Sequence, residues 1–135
     1  MKRTISIAIL LLIILMLTFS FMKMRTNIYI GDYSYHNIYP KIDFQLEIDN
    51  KLILNDSLSC NPFNSIKIKE NLRFGFHRVN ISSESANINQ EKKIFLLPNQ
   101  YILIEFFPFG FFGSSLEKNM ACFDIRNTFN PFYPD

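Results

Sequence analysis

Ile42, Phe44, Leu46 and Ile48 fill every second position of Ile42-Asp43-Phe44-Gln45-Leu46-Glu47-Ile48. Residues two apart on an extended strand share a face, so this segment reads as a half-buried strand with a wet side and a core side. The same spacing recurs along the chain after residue 26. Ile28-Tyr29-Ile30, Lys51–Leu54, Ser65–Lys69, Lys93–Leu97, Tyr101–Phe107 and Cys122–Ile125 are further strand candidates. Asp49-Asn50 separates two of them, and both residues tolerate positive φ, which predicts a two-residue hairpin turn. Leu72, Phe74 and Phe76 alternate up to and past Gly75, after which His77, Val79 and Ile81 take up a second phase. Gly75 therefore reads as a bulge or turn that re-phases the strand.

Pro98-Asn99 reads as a turn pairing Lys93–Leu97 with Tyr101–Phe107. Ser82–Lys92 reads as a long polar hairpin loop, and Asn127–Asp135 as an irregular tail. No segment after residue 26 keeps a 3.6-residue apolar period. Seven or so short strands with regular turn signals predict an all-β fold, a small antiparallel β-sandwich of Ig-like or transthyretin-like form.

The first 25 residues are of another kind. Ile5 to Met22 is 18 residues without a charge, flanked by Lys2 and Arg3 before it and Lys23 and Arg25 after it. As a helix it would span about 27 Å, close to the hydrocarbon thickness of a bilayer. The readings are an N-terminal transmembrane anchor or a signal helix cut near Thr18-Phe19-Ser20, with the anchor preferred for its run length and poor cleavage site. The flanking charges favour an internal N-terminus and an exported body by a narrow margin. The expected organisation is residues 1–25 as membrane anchor or signal segment and residues 26–135 as one extracytoplasmic β-sandwich domain.

Two segments together resemble small bacterial envelope β-sandwich modules of the PEGA or transthyretin-like kind. They are Ile48-Asp49-Asn50-Lys51, similar to a strand–Asp-Gly–strand hairpin, and Leu72 through Gly75-Phe76-His77-Arg78-Val79-Asn80-Ile81, similar to a strand that turns at Gly and enters the core. Asn50 stands where those modules usually have Gly. The resemblance covers about residues 42–107 and implies an extracytoplasmic accessory or binding module, with no catalytic residue to carry over.

Charge and motif content narrow the function classes. The chain carries a formal +2, but the residues after Arg25 hold 10 basic and 12 acidic groups. No basic cluster stands on the body, so nucleic acid is not an expected partner. Four glycines, Gly31, Gly75, Gly110 and Gly113, form no phosphate loop, and no cofactor is expected. The possible metal ligands His36, His77, Cys60 and Cys122 lie far apart without paired spacing, so no metal site is expected either. Asp43 and Glu47 fall on the polar face of their strand and read as solvated. Cys60 and Cys122 allow either one disulfide in an exported domain or two buried thiols.

A nucleophile needs a base and an orienting partner, and only His36 and His77 offer an imidazole. His77 reads as a strand histidine with a satisfied hydrogen bond, and a small His77-dependent enzyme is the least favoured alternative. The most unusual stretch is Phe106-Phe107-Pro108-Phe109-Gly110-Phe111-Phe112, with five phenylalanines in seven positions. It reads either as a cap on the core or, if exposed, as a contact surface. Phe106, Phe107, Phe109, Phe111 and Phe112, with Tyr33, Tyr35 and His36, are the candidate binding residues. The expected role is non-enzymatic: a membrane-tethered interaction or envelope-accessory module held by residues 5–22, with another envelope protein as partner. A secreted ligand-binding or carbohydrate-binding sandwich is the alternative, weakened by the lack of any Trp.

Overall fold

A computed structural model describes residues 23–32, 41–59, 65–108 and 121–130, together with helical positions at 7, 9–11, 14 and 18. Eight strands follow in order: β1 (Lys23–Asp32), β2 (Lys41–Ile48), β3 (Lys51–Ser59), β4 (Ser65–Arg73), β5 (Gly75–Ser83), β6 (Ile88–Leu96), β7 (Tyr101–Phe107) and β8 (Cys122–Thr128). They form two four-stranded sheets, one in the order β4-β1-β7-β8 and the other β3-β2-β5-β6. The alternation in β2 is kept to the residue: Ile42, Phe44, Leu46 and Ile48 are buried, and the polar residues between them are half-buried.

One apolar cluster fills the space between the sheets. Ile28 and Ile30 of β1, Ile102, Ile104 and Phe106 of β7, and Phe123 and Ile125 of β8 meet the inward residues of β2, β5 and β6. Phe44 and Phe106 are the bulkiest of its fully buried side chains. Two half-buried faces sharing one core make a β-sandwich, because each sheet removes the other's apolar side from water.

The turns explain the connectivity. Asp49 and Asn50 have φ of 53° and 63°, and the flanking Ile48 and Lys51 pair directly, as the hairpin reading requires. Gly75 has a φ of 123° and opens β5 in one sheet, two residues after β4 ends in the other. The chain changes sheets there. Leu72 points inward before the corner, and His77, Val79 and Ile81 point inward after it.

Several elements differ from the sequence reading. Ser82–Lys92 is not one loop: β5 continues through Ser83, a turn occupies residues 84–87, and β6 starts at Ile88. The polar residues there are the outward and edge positions of strands, which composition alone does not separate from a loop. β6 and β7 do not pair across Pro98-Asn99 but lie in different sheets. β6 ends at the same end of the sandwich where β7 and β1 begin, so β7 runs beside β1 in parallel, Ile28 opposite Ile102. That pair is the exception to an otherwise antiparallel pattern. β1 starts at Lys23 and takes up the last three residues of the segment assigned to the anchor. β8 runs on to Thr128, three residues past the expected strand and into the tail. Among the described residues no helix is long and apolar enough to cross a membrane, and most of residues 5–22 lie outside them.

The two open seams of the sandwich are closed by polar bridges. At one, Lys51 Nζ of β3 reaches Glu70 Oε1 of β4 at 2.9 Å. At the other, Gln90 Oε1 of β6 accepts the Phe123 N–H at 2.6 Å, and the Lys92 ammonium lies 3.8 Å from Asp124. Lys92 falls on the inward register of an edge strand, a placement that discourages another strand from adding there.

A methyl group at Gly75 would meet no atom within 4 Å, so a Gly75→Ala substitution costs only the backbone conformation at φ 123°. The expected loss is about 1–2 kcal/mol, read from the midpoint of a urea unfolding curve.

Candidate functional site

Re-phasing at Gly75 sends His77 inward, where it is 6% exposed. Its Nε2 donates to the Arg73 carbonyl at 2.7 Å, and its Nδ1 lies 2.7 Å from Asp49 Oδ2. Asp49 Oδ1 in turn accepts the Arg78 N–H at 3.0 Å, and the Asp49 N–H donates to the Arg78 carbonyl at 2.9 Å. The imidazole thus ties three elements together: the β2–β3 turn, the end of β4 and the start of β5.

Two open clefts border this node. One, of about 490 Å³, is lined by Asp49, Asn50, Phe76, His77, Arg78 and Lys93. The other, of about 550 Å³, lies on the side of Lys23, Lys51, Glu70 and Arg73. Among the described residues no Ser, Thr or Cys lines either cleft. An Asp–His pair does nucleophilic chemistry only with a nucleophile in reach of a ring nitrogen, and here both nitrogens face protein oxygens. The geometry at His77 is that of a structural pin. Among the described residues no group of three His, Cys, Asp or Glu side chains is placed to hold a metal ion.

Other charged groups on the sheet faces are also structural. Asp43, read from the sequence as solvated, caps the turn at residues 84–87: its carboxylate accepts the Glu84 N–H at 2.8 Å and the Ser85 N–H at 2.9 Å. Hydrogen bonding from the Ser85 side chain, against some loss of solvent and with the help of those two N–H groups, holds its pKa down at about 2. Glu105 is 6% exposed, on the outward register of β7. Loss of solvent raises its pKa, and the Arg126 guanidinium 2.5 Å from its Oε2 opposes that rise.

The structure distributes the candidate binding residues unevenly. Phe106 is fully buried and packs against Phe123 with ring centroids 5.2 Å apart, so it belongs to the core and not to an exposed surface. Its place at an inward register of β7, in step with Ile102 and Ile104, is the reason. Phe107 is half-buried. Phe109, Phe111, Phe112, Tyr33, Tyr35 and His36 lie outside the described residues, as does Cys60; Cys122 is buried in β8.

Exposed aromatic surface appears elsewhere. Phe76 is 80% exposed and meets Phe95 edge-on at 4.7 Å, and Phe74 meets Phe95 at 5.3 Å. Leu97 and Phe129 are exposed close by in the chain, beyond the ends of β6 and β8. This cluster was not singled out from the sequence, although the signal is present. With His77 and Val79 inward, Phe76 has to face out, and with Ile94 and Leu96 inward, so does Phe95. No protein family, curated protein or solved structure matches the chain.

The Asp43 carboxylate gives a pH test. Its pKa is lowered from 3.8 to about 2 on folding, so its contribution is present above 3.8 and is lost as pH falls through about 2. Asp43→Asn is expected to lower stability at neutral pH by about 1 kcal/mol, a figure reduced for partial exposure. It should also flatten the acid side of a denaturation profile. An unchanged acid limb would contradict the capping role.

Proposed function

We propose that the chain is a non-enzymatic, membrane-tethered interaction module whose sandwich stands outside the cytoplasm on an uncleaved N-terminal anchor. The observation that carries this reading is the state of the N-terminal apolar residues. Ile7, Ile9, Leu10, Leu11 and Ile14 are helical and each about half exposed or more, between 49% and 60%. Ile9 points away from the side shared by Ile7, Leu10, Leu11 and Ile14, so apolar surface is open on more than one side of the helix. Side chains of this kind, in a run of 18 uncharged residues, find cover in hydrocarbon.

Topology supports an interaction role for the opposite end. β1 ends at Asp32 and β2 begins at Lys41, β3 ends at Ser59 and β4 begins at Ser65, and β7 ends at Phe107 and β8 begins at Cys122. All six positions lie at the end of the sandwich away from Lys23. The connections that carry Tyr33, Tyr35 and His36 and Phe109, Phe111 and Phe112 therefore leave from and return to one end, the end a tethered module would present to a partner. The strand order is not that of an immunoglobulin constant-type sandwich. An immunoglobulin constant-type sandwich pairs its strands 1-2-5-4 against 3-6-7, whereas here β3-β2-β5-β6 faces β4-β1-β7-β8.

The intact mass of the native protein, measured on membranes washed with alkali, tests the tether. A chain of full mass retained in the washed membrane is expected. A soluble chain cut near Ser20 would instead identify a free exported module and overturn the tethered reading.

A further inference from the structure

We infer that the Lys23 end of the sandwich lies against an anionic bilayer surface, with an aromatic and aliphatic cluster dipping into the interface. The inference rests on the tethered reading above and adds the orientation of the domain.

Three observations carry it. First, the uncharged run that ends at Met22 is followed directly in sequence by Lys23, where β1 starts. Whatever holds the run holds this end of the sandwich close by.

Second, among the described residues the exposed apolar surface of the sandwich gathers at the same end. Lys23 pairs with Arg73, whose carbonyl takes the His77 hydrogen bond, and Gly75 pairs with Leu96. Thr128 pairs with Tyr101 at the start of β7, and the Asn127 side chain donates to the Phe95 carbonyl at 3.0 Å. These links place Phe76, Phe95, Leu97 and Phe129 around one rim, and Leu52 follows the Asp49–Asn50 turn toward the same end. They are all five of the exposed large hydrophobic side chains described outside the N-terminal segment. The described turn at the far end is Glu84-Ser85-Ala86-Asn87, with no large apolar side chain.

Third, the charge around the rim suits lipid headgroups. Lys23, Arg73, Arg78 and Lys93 are exposed there, Arg78 in an ion pair with Glu91 at 3.2 Å. Asp49, the acidic residue in the cleft beside Phe76, has its carboxylate committed to His77 and the Arg78 N–H. Aromatic rings favour the headgroup level of a bilayer, and lysine and arginine beside them favour anionic lipid. A patch this small would bind a membrane weakly by itself. Attached to an anchor without a spacer it meets the surface at high effective concentration, and weak contacts then suffice to orient the domain.

The chain has no Trp, which makes single-Trp reporters clean. Full-length Phe76→Trp and Phe129→Trp chains, with Asn89→Trp at the far end of β6 as control, would be reconstituted into phosphatidylcholine vesicles with and without phosphatidylglycerol. The readouts are flotation with the vesicles and quenching by lipids brominated along their acyl chains. Flotation of all three chains is expected. Quenching at positions 76 and 129 should exceed that at 89 by about twofold or more, and should grow with phosphatidylglycerol. Adding Arg78→Glu and Lys93→Glu should remove the phosphatidylglycerol dependence. Equal quenching at positions 76, 129 and 89 in floating chains would overturn the orientation while leaving the tether intact. A blue-shifted emission at position 76 that brominated lipid does not quench would overturn it in favour of a protein contact, a second copy of the chain included. Chains that do not float would overturn the tether and the orientation together.

Discussion

Sheet β4-β1-β7-β8 is built around its first strand. β1 pairs antiparallel with β4 from Lys23 to Gly31 and parallel with β7 from Ile28 to Asp32, and its Ile28 and Ile30 are fully buried in the core. Its second half cannot fray without opening both neighbours, because each loses its ladder on one side, whereas Lys23–Asn27 are paired with β4 alone. The same strand is the direct continuation of the 18-residue apolar run. In the tethered reading proposed above, the apolar run and the sandwich therefore adjoin in sequence at Met22 and Lys23.

The described residues differ between the two ends of the sandwich. At the Lys23 end the chain changes sheet through Gly75, and His77 holds the corner to the β2–β3 turn through Asp49. The corner has a consequence for the surface. One residue of re-phasing turns His77 inward and leaves Phe76 outward beside Phe95. At the other end the described turn is polar and capped by the Asp43 carboxylate. Between the ends, inward polar groups such as Glu70, Gln90 and Lys92 close the seams, so the sandwich shows few inviting edges along its length.

The fold was legible in the sequence wherever one side of a strand is buried, because burial writes a period of two. β2, the Asp49–Asn50 turn and the corner at Gly75 were all readable on those grounds. Edge strands were harder. β6 carries Asn89, Gln90, Glu91, Lys92 and Lys93 in succession, since an edge strand over a seam needs polar groups on both registers; five polar residues in a row look like a loop. The pairing of β7 with β1 was hidden for another reason. Nearness in sequence favours a hairpin, and nothing local tells that the turn at residues 97–100 crosses between sheets. In the phenylalanine-rich stretch, composition drew attention to Phe106, whereas its strand phase with Ile102 and Ile104 puts it in the core. Phase was the better guide there, and it also marks Phe76 and Phe95 as the exposed rings. His77 was legible as a satisfied strand histidine, but its partners, one 28 residues away and one only four, come from tertiary pairing.

The proposed boundary between anchor and sandwich can be measured directly by amide hydrogen exchange of the full chain in bilayer discs. Protection running without a break through Phe21, Met22, Lys23 and Met24 into β1 is expected if the run continues straight into the first strand. A fast-exchanging gap at those residues, with the rest of β1 still protected, would mean a hinge between membrane and domain and would contradict a fixed orientation.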